Sequence, residues 1–415
     1  MIAHPGLRFT EHLVTVPLDH ARPGGETIEV FAREVVAADR VGDDLPWLLF
    51  LQGGPGGAAP RPVRAASWLG WAVRTHRVLL LDQRGTGRST PLSAGGRTPR
   101  QLADQLRLFR ADSIVADAEV LRERVAGGAK WDTLGQSYGG FVTLTYLSLA
   151  PHGLRTCFVT GGLPSLTATA ADVYARTYPR VAAKNAEFYR AFPGDVAAVR
   201  RLADHLAATE VRLPDGDRLT PERLRLLGAE FGMSDGYAKV HWLLDEAWHG
   251  AQLSDTFRYE VMALTGFVDK PLFALQEYIY GQGASTGWAA ARAITARPEF
   301  AADATPLLFT GEMMYPWMFS QIKALRPYEG AAALLAMTDD WPALYDLDRL
   351  AANDVPVLAA VYADDMYVDL GLSLETAATV GNVRTWVTNE HEHDGLRTSG
   401  ETVLNHLMEM AAGLR

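Results

Sequence analysis

The sequence predicts an α/β protein: a mostly parallel central sheet carrying one long helical insertion. Three observations predict it. Runs rich in Val and Leu, "WLLFLQ" (47–52), "RVLLLDQRG" (77–85), "WDTLGQS" (131–137) and "LRTCFVTGG" (154–162), are continuous rather than alternating, as in strands covered on both faces. Helical patterns separate them, so each strand rejoins the sheet through a crossover. Beyond a helix-rich block spanning 165–349, strand signals resume with "VPVLAAVYADD" (355–365) and "VRTWVTNEHEHDG" (383–395).

The elements follow in order. "HLVTVPLDH" and "ETIEVFAREVV" alternate in polarity and are split by "ARPGG", the signature of an antiparallel hairpin ahead of the parallel strands. "SIVADAEVLRERVAGG" (113–128) repeats its apolar residues at helical spacing and stops on Gly-Gly. From residue 165 the pattern is helical and aromatic-rich, as in "ADVYARTYPRVAAKNAEFYRAF" and "PLFALQEYIYGQG"; "TSGETVLNHLMEMAAGL" closes the chain as a helix. A sheet that is interrupted and then resumed implies a core formed by 1–164 and 350–415, with residues 165–349 as an inserted helical cap.

Composition limits the function classes. Hydrophobic residues make up 48% and charged residues 21%, enough apolar material for a sizeable core. With 39 basic against 49 acidic residues the formal charge is −10, which argues against nucleic acid or an anionic membrane as partner. Cys157 is the single cysteine, so no intramolecular disulfide and no thiolate metal cluster can form, and its strand-like setting reads as a buried, inert thiol. The opening "MIAHPGLRFTEHLVTV" lacks the basic and long apolar segments of a secretion signal, and no apolar run reaches membrane-spanning length. A cytoplasmic protein is expected; oligomeric state is not legible.

The chemistry centres on "GQSYGG" (135–140), set between the strand "WDTL" and the helix-like "FVTLTYLSLA". Gly-x-Ser-x-Gly in that context is a nucleophile elbow: a strained turn lifts Ser137 Oγ above the sheet, and Gly135 and Gly139 leave room for it. A serine hydroxyl needs a base and an orienting acid, which on such a sheet follow at the ends of later strands in the order Ser, acid, His. Asp364–Asp365 ends one later strand, and His391 and His393 end the next. The residues alone leave both pairs open. The glycines of "QGGPGG" (52–57) follow an earlier strand, where the second donor of an oxyanion hole belongs; Gly54, with Gly53 next, and the N–H of Tyr138 are the expected donors. There is neither a Gly-Lys-Ser/Thr phosphate loop nor a Gly-x-Gly-x-x-Gly dinucleotide turn, and no cofactor is implied.

"QGGPGG", "DQRGTGRST" (82–90), "GQSYGG" and "ADDMYV" together resemble the prolyl aminopeptidase (proline iminopeptidase) family of α/β-hydrolases, most closely its longer bacterial members, along the whole chain. The resemblance implies an α/β-hydrolase fold and a serine peptidase that releases an N-terminal residue, often proline, from small peptides with a free N-terminus. It implies Ser137 as nucleophile, Asp365 as acid and His393 as base, with Asp364 and His391 as spares. Where the family has His-Gly-Gly-Pro-Gly this chain has Gln52, a departure that bears on how the loop is braced. Asp82 and Arg84 are expected to brace it. The family's caps bind the free amine through glutamates, and Glu277 in "LQEYIYGQG" and Glu312 in "TGEMMYPWMF" fit. A carboxylate set among aromatics and Met is costly to bury unless a cation pairs with it; each glutamate could instead merely cap a helix or face solvent.

Other readings weigh less. The same triad could serve an esterase, an amidase or a tripeptidyl-type aminopeptidase, since fold alone does not choose the acyl group. "HEHD" could ligate one ion, but no second ligand cluster accompanies it. A catalytically dead binding module would not be expected to keep elbow, acid and histidine together, and dehalogenase or epoxide-hydrolase chemistry would want Asp where Ser137 stands.

Overall fold

The structure, a computed structural model, describes residues 2–415, with side chains from Pro5 onward. Nine strands form one sheet: β1 (Ile2–His4), β2 (Leu7–Pro17), β3 (Thr27–Ala37), β4 (Trp47–Leu51), β5 (Arg77–Asp82), β6 (Trp131–Gln136), β7 (Leu154–Thr160), β8 (Val357–Tyr362) and β9 (Val383–Thr388). Their order across the sheet is β1-β2-β3-β5-β4-β6-β7-β8-β9. The predicted hairpin is β2–β3, in register from Leu7 opposite Ala37 to Pro17 opposite Thr27. It joins the sheet antiparallel to β5, and every pairing from β5 to β9 is parallel.

The apolar runs are continuous because both faces of these strands are covered. Leu48 and Phe50 of β4 and Val78 and Leu80 of β5 pack with Trp68 of the helix Ser67–Ala72 and Leu407 of the helix Gly400–Ala411. Their neighbours Leu49, Leu51, Leu79 and Leu81 point the other way, toward Ile114 of the helix Ala111–Val125 and Val142 of the helix Tyr138–Leu149. Each such side chain contributes about 2 kcal/mol of burial, so neither face can be left to water. Cys157 lies in this layer, fully buried, with its thiol pushed up to about 12 by desolvation.

Between β7 and β8 the chain leaves the sheet for a long, mainly helical excursion. It begins at Ala170–Ala191, where Thr169 and Asp172 form a reciprocal capping box. Two short hairpins interrupt the helices, Val211–Arg212 with Arg218–Leu219 and Trp248–His249 with Gln252–Leu253. The helix-only reading did not anticipate them, because strands of two residues show no alternation. Phe188 stacks on Phe231 at 4.7 Å and meets Phe309 edge-on. These rings belong to the same apolar cluster as Val142 and Leu49 below, so insertion and sheet share one core.

Asp82 and Arg84 are both buried and both structural. Asp82 accepts from the Ala59 and Arg88 N–H groups and pairs with Arg61, which ties down the chain just after the glycine loop. Arg84 braces something else: it pairs with Asp117 and donates to the carbonyls of Leu18 and Leu108. The expected role in the glycine loop therefore falls to Asp82 alone. Among the described residues no helix is long and apolar enough to cross a membrane.

Candidate active site

Strand β6 delivers Ser137 to the top of the sheet with φ 54° and ψ −123°, a region that side-chain-bearing residues avoid. Such a conformation costs on the order of 1–3 kcal/mol and persists only where its surroundings enforce it. Here the Ser137 N–H donates to the Thr160 carbonyl at 3.0 Å, and its own carbonyl accepts from Gly140 at 2.8 Å. The packing allows nothing larger: a Cβ on Gly139 would stand 1.9 Å from the Leu51 carbonyl oxygen, and one on Gly162 would stand 2.4 Å from that of Ser137. The helix Tyr138–Leu149 therefore starts hard against the ends of β4 and β7, with Tyr138 as its first residue.

At the ends of β8 and β9 the structure distinguishes the paired candidates. Asp365 Oδ2 meets His393 Nδ1 at 2.6 Å, while Oδ1 accepts from the Tyr367 and Val368 N–H groups at 2.8 and 3.1 Å. Both residues are buried. Asp364 is exposed and pairs with Arg180 at 3.0 Å. His391 sits edge-on to Tyr362 and Trp386. The insertion steadies the His393 loop from above, where the His393 N–H donates to the Gly232 carbonyl at 3.1 Å, and from the loop after β8 the Tyr367 ring stands edge-on to the imidazole at 4.7 Å. Burial disfavours the imidazolium, but the Asp365 charge and hydrogen bond, with Glu312 and Asp394 further off, outweigh it and hold His393 above the ordinary histidine value.

Ser137 and His393 line one cavity of about 280 Å³, together with Gly53, Gly54 and Glu312. Gly53 lies closest to the elbow, since a Cβ there would fall 2.9 Å from Ser137 Cβ. Gly54, at φ +127°, continues the same wall. Gln52, in the family's histidine position, offers its carbonyl to Gln83 Nε2 at 3.0 Å, so the loop is braced through backbone. The rest of the lining comes mostly from the insertion and is largely apolar, with Met233, Leu264, Phe267, Phe273 and Met318.

The two glutamates part company. Glu312 faces this cavity, and desolvation raises it to about 7; the nearby Asp365 charge adds to the rise, while His393 and Lys270 oppose it. Ionising Glu312 thus costs roughly 3 kcal/mol more than in water, a cost that a bound ammonium would offset. Glu277 is not brought to the cavity. It is buried, and its two oxygens accept from the Ala289 and Ala290 N–H groups at 3.1 and 2.9 Å. Those groups begin the helix Ala289–Thr295, whose preceding residue, Trp288, makes no side-chain cap. The expectation that Glu277 holds a substrate amine is corrected: it caps a helix from a distance, which uses both of its oxygens. Glu277→Gln is expected to lower unfolding free energy by about 1 kcal/mol while KM for an unblocked substrate stays put. Denaturant titration and steady-state kinetics on the same preparation check both halves.

Sequence reading also missed Gly161–Gly162, which follow β7. Gly161, at φ +53°, lets the imidazole approach, since a Cβ there would meet His393 Nδ1 at 3.2 Å. Gly162 clears the Ser137 carbonyl. The signal was present as the Gly-Gly ending "LRTCFVTGG".

A strained serine, a buried Asp–His pair and a glycine loop bordering one cavity define a class, the α/β hydrolases, and the profile of the alpha/beta hydrolase fold family matches residues 46–210. The chain is 48% identical over 411 residues to the proline iminopeptidase of Aeromonas sobria, covering 98% of this chain and 97% of that one. It is 34% identical to proline iminopeptidase aneH of Aspergillus aculeatus, covering 97% and 93%. A tripeptidyl aminopeptidase of Streptomyces coelicolor is 28% identical, but over only 35% of this chain and 34% of its own. The chain belongs to the proline iminopeptidase family.

Proposed function

We propose that this protein is a serine aminopeptidase that releases N-terminal proline from small peptides. The observation that carries the proposal is that Ser137, His393 and Glu312 line one cavity. Residues 1–164 and 350–415 act as the catalytic core and 165–349 as the cap that recognises the substrate's N-terminus. Ser137 Oγ attacks the carbonyl of the N-terminal residue as His393 Nε2 takes its proton, with Asp365 holding the imidazole through Nδ1. The N–H groups of Tyr138 and Gly54 stabilise the oxyanion, a donor worth about 10²–10³ in turnover. His393 then protonates the leaving amine, and water, activated by the same histidine, hydrolyses the acyl-enzyme. The ionised Glu312 holds the substrate ammonium, and the apolar lining from its own segment, Met313, Met314 and Met318, takes the proline ring. A cytoplasmic setting belongs to the same reading and suits a single buried thiol.

The test compares proline arylamide with its N-acylated twin. Free-amine substrate should turn over and the blocked one should not. Equal cleavage of both would make the protein a general amidase or esterase and end the amine-clamp reading.

The Glu312 carboxyl also sets a pH dependence. Because it is raised to about 7, it is increasingly protonated below that pH and no longer offers a charge to the ammonium. KM for proline arylamide is therefore expected to rise as pH falls through about 7. Glu312→Gln should raise KM at neutral pH by about tenfold or more and remove this dependence from KM. The His393 limb should remain in kcat. A pH–KM profile unchanged by the substitution would contradict the assignment.

A further inference from the structure

Three charged side chains line the cavity: Glu230, Glu312 and Lys270. Glu230 is already paired with Lys239 at 2.7 Å. Among the described residues neither Glu312 nor Lys270 makes an ion pair or a hydrogen bond to another side chain. Beside the Ser137–His393 pair the cavity therefore presents one uncommitted anion and one uncommitted cation, carried by separate segments of the insertion. Glu312 follows Gly311, which packs on Val181 and Met366, and its strongest charge neighbours are His393 and Asp365. Lys270 opens the short helix Pro271–Ala274, which rests on the glycine loop: a Cβ on Gly56 would lie 2.9 Å from Leu272 Cβ and 3.3 Å from the Phe273 nitrogen. The Lys270 ammonium is held over the Phe273 ring, 5.1 Å from its centre. It is half-buried, and it lies near enough to Glu312 for the two charges to influence each other.

A ligand that answers both charges carries an ammonium at one end and a carboxylate at the other, with the scissile carbonyl between them at Ser137. A dipeptide meets that description, since its termini are roughly 7 Å apart when extended. Resting on the aminopeptidase reading above, we propose that Lys270 forms a subsite for the C-terminal carboxylate of the substrate, so that zwitterionic proline dipeptides are the preferred class. Glu312 holds the amine and Lys270 the carboxylate, and the bond between the two residues is carried to the oxyanion loop. Arylamides, esters and amidated peptides lack the second contact. A longer peptide places a neutral amide beside Lys270, and so loses the second contact too.

The experiment measures kcat/KM for Pro-Ala and for Pro-Ala-amide, with proline arylamide as reference. Wild type is expected to favour the free acid by about tenfold, mainly in KM, the scale of one partly buried charge-assisted contact. Lys270→Met should bring the ratio to about one, Lys270→Arg should retain most of it, and Lys270→Glu should invert it. Because the ratio is taken within one preparation, partial loss of folded protein cancels. The subsite is overturned if wild type cleaves both peptides equally well, or if Lys270→Met keeps the preference. If wild type cleaves the arylamide but shows no acid-over-amide preference, only the subsite falls. If it cleaves neither peptide nor the arylamide, the aminopeptidase reading falls and the subsite with it.

Discussion

Ser137→Ala is expected to lower kcat by about 10⁵–10⁶-fold, the scale on which a serine hydrolase loses its nucleophile. Folding should be intact, because alanine keeps the Cβ and leaves the φ of 54° and the hydrogen bonds to Thr160 and Gly140 as they are. Ser137→Gly should be as inactive yet behave differently in stability. Glycine accepts positive φ, which relieves about 1–2 kcal/mol of backbone strain, partly offset by its greater freedom when unfolded. Its melting temperature is therefore expected to equal or exceed that of wild type. Thermal melts beside turnover of proline arylamide give both readings. A Ser137→Ala protein that remains active would move the nucleophile elsewhere.

The second large effect is at Asp365. Asp365→Asn keeps an oxygen for the Tyr367 and Val368 N–H groups, so the loop that carries it should hold its shape. The other end of the amide then presents N–H where an acceptor faced His393 Nδ1. The imidazole must accept there, which places its proton on Nε2, the nitrogen needed to take the Ser137 proton. A loss of about 10⁴-fold in kcat is expected. The histidine also loses the charge that raises it, so any residual acid limb should move to lower pH. Asp364→Asn serves as the control. That carboxylate is exposed and paired with Arg180, and its removal should cost no more than about 1 kcal/mol of stability with kcat unchanged. If Asp364→Asn were the damaging substitution, the acid would have been assigned to the wrong neighbour.

How far these residues could be read in advance depended on whether their environment is local. The parallel strands were legible because burial on both faces leaves an unbroken apolar run, and the elbow because its strain demands glycines at fixed offsets. Asp365 and His393 were legible as strand ends, but choosing them over Asp364 and His391 took a resemblance. Only the folded backbone shows that Asp365 turns inward while Asp364 reaches Arg180. Glu277 was misread for a reason of the same kind. Its aromatic neighbours look alike in a pocket and in a core, and the helix start it caps lies twelve residues on, at Ala289. Lys270 gave no signal at all in "FVDKPLF", since nothing in its neighbours says that the ammonium faces a cavity.

The excursion that supplies Glu312 and Lys270 departs after β7 and returns at β8, and those two strands are hydrogen-bonded neighbours, with Cys157 beside Val357. Topologically it is a cassette: its entry and exit meet, so exchanging it would disturb no strand order and leave Ser137, Asp365 and His393 on the retained scaffold. The shared core sets the terms of such an exchange. A graft would have to bring its own apolar underside to match Val142 and its neighbours, and a carbonyl where Gly232 now steadies the histidine loop. On the proposed roles of Glu312 and Lys270, substrate preference would travel with this excursion, but only as a whole unit whose lower surface is itself constrained.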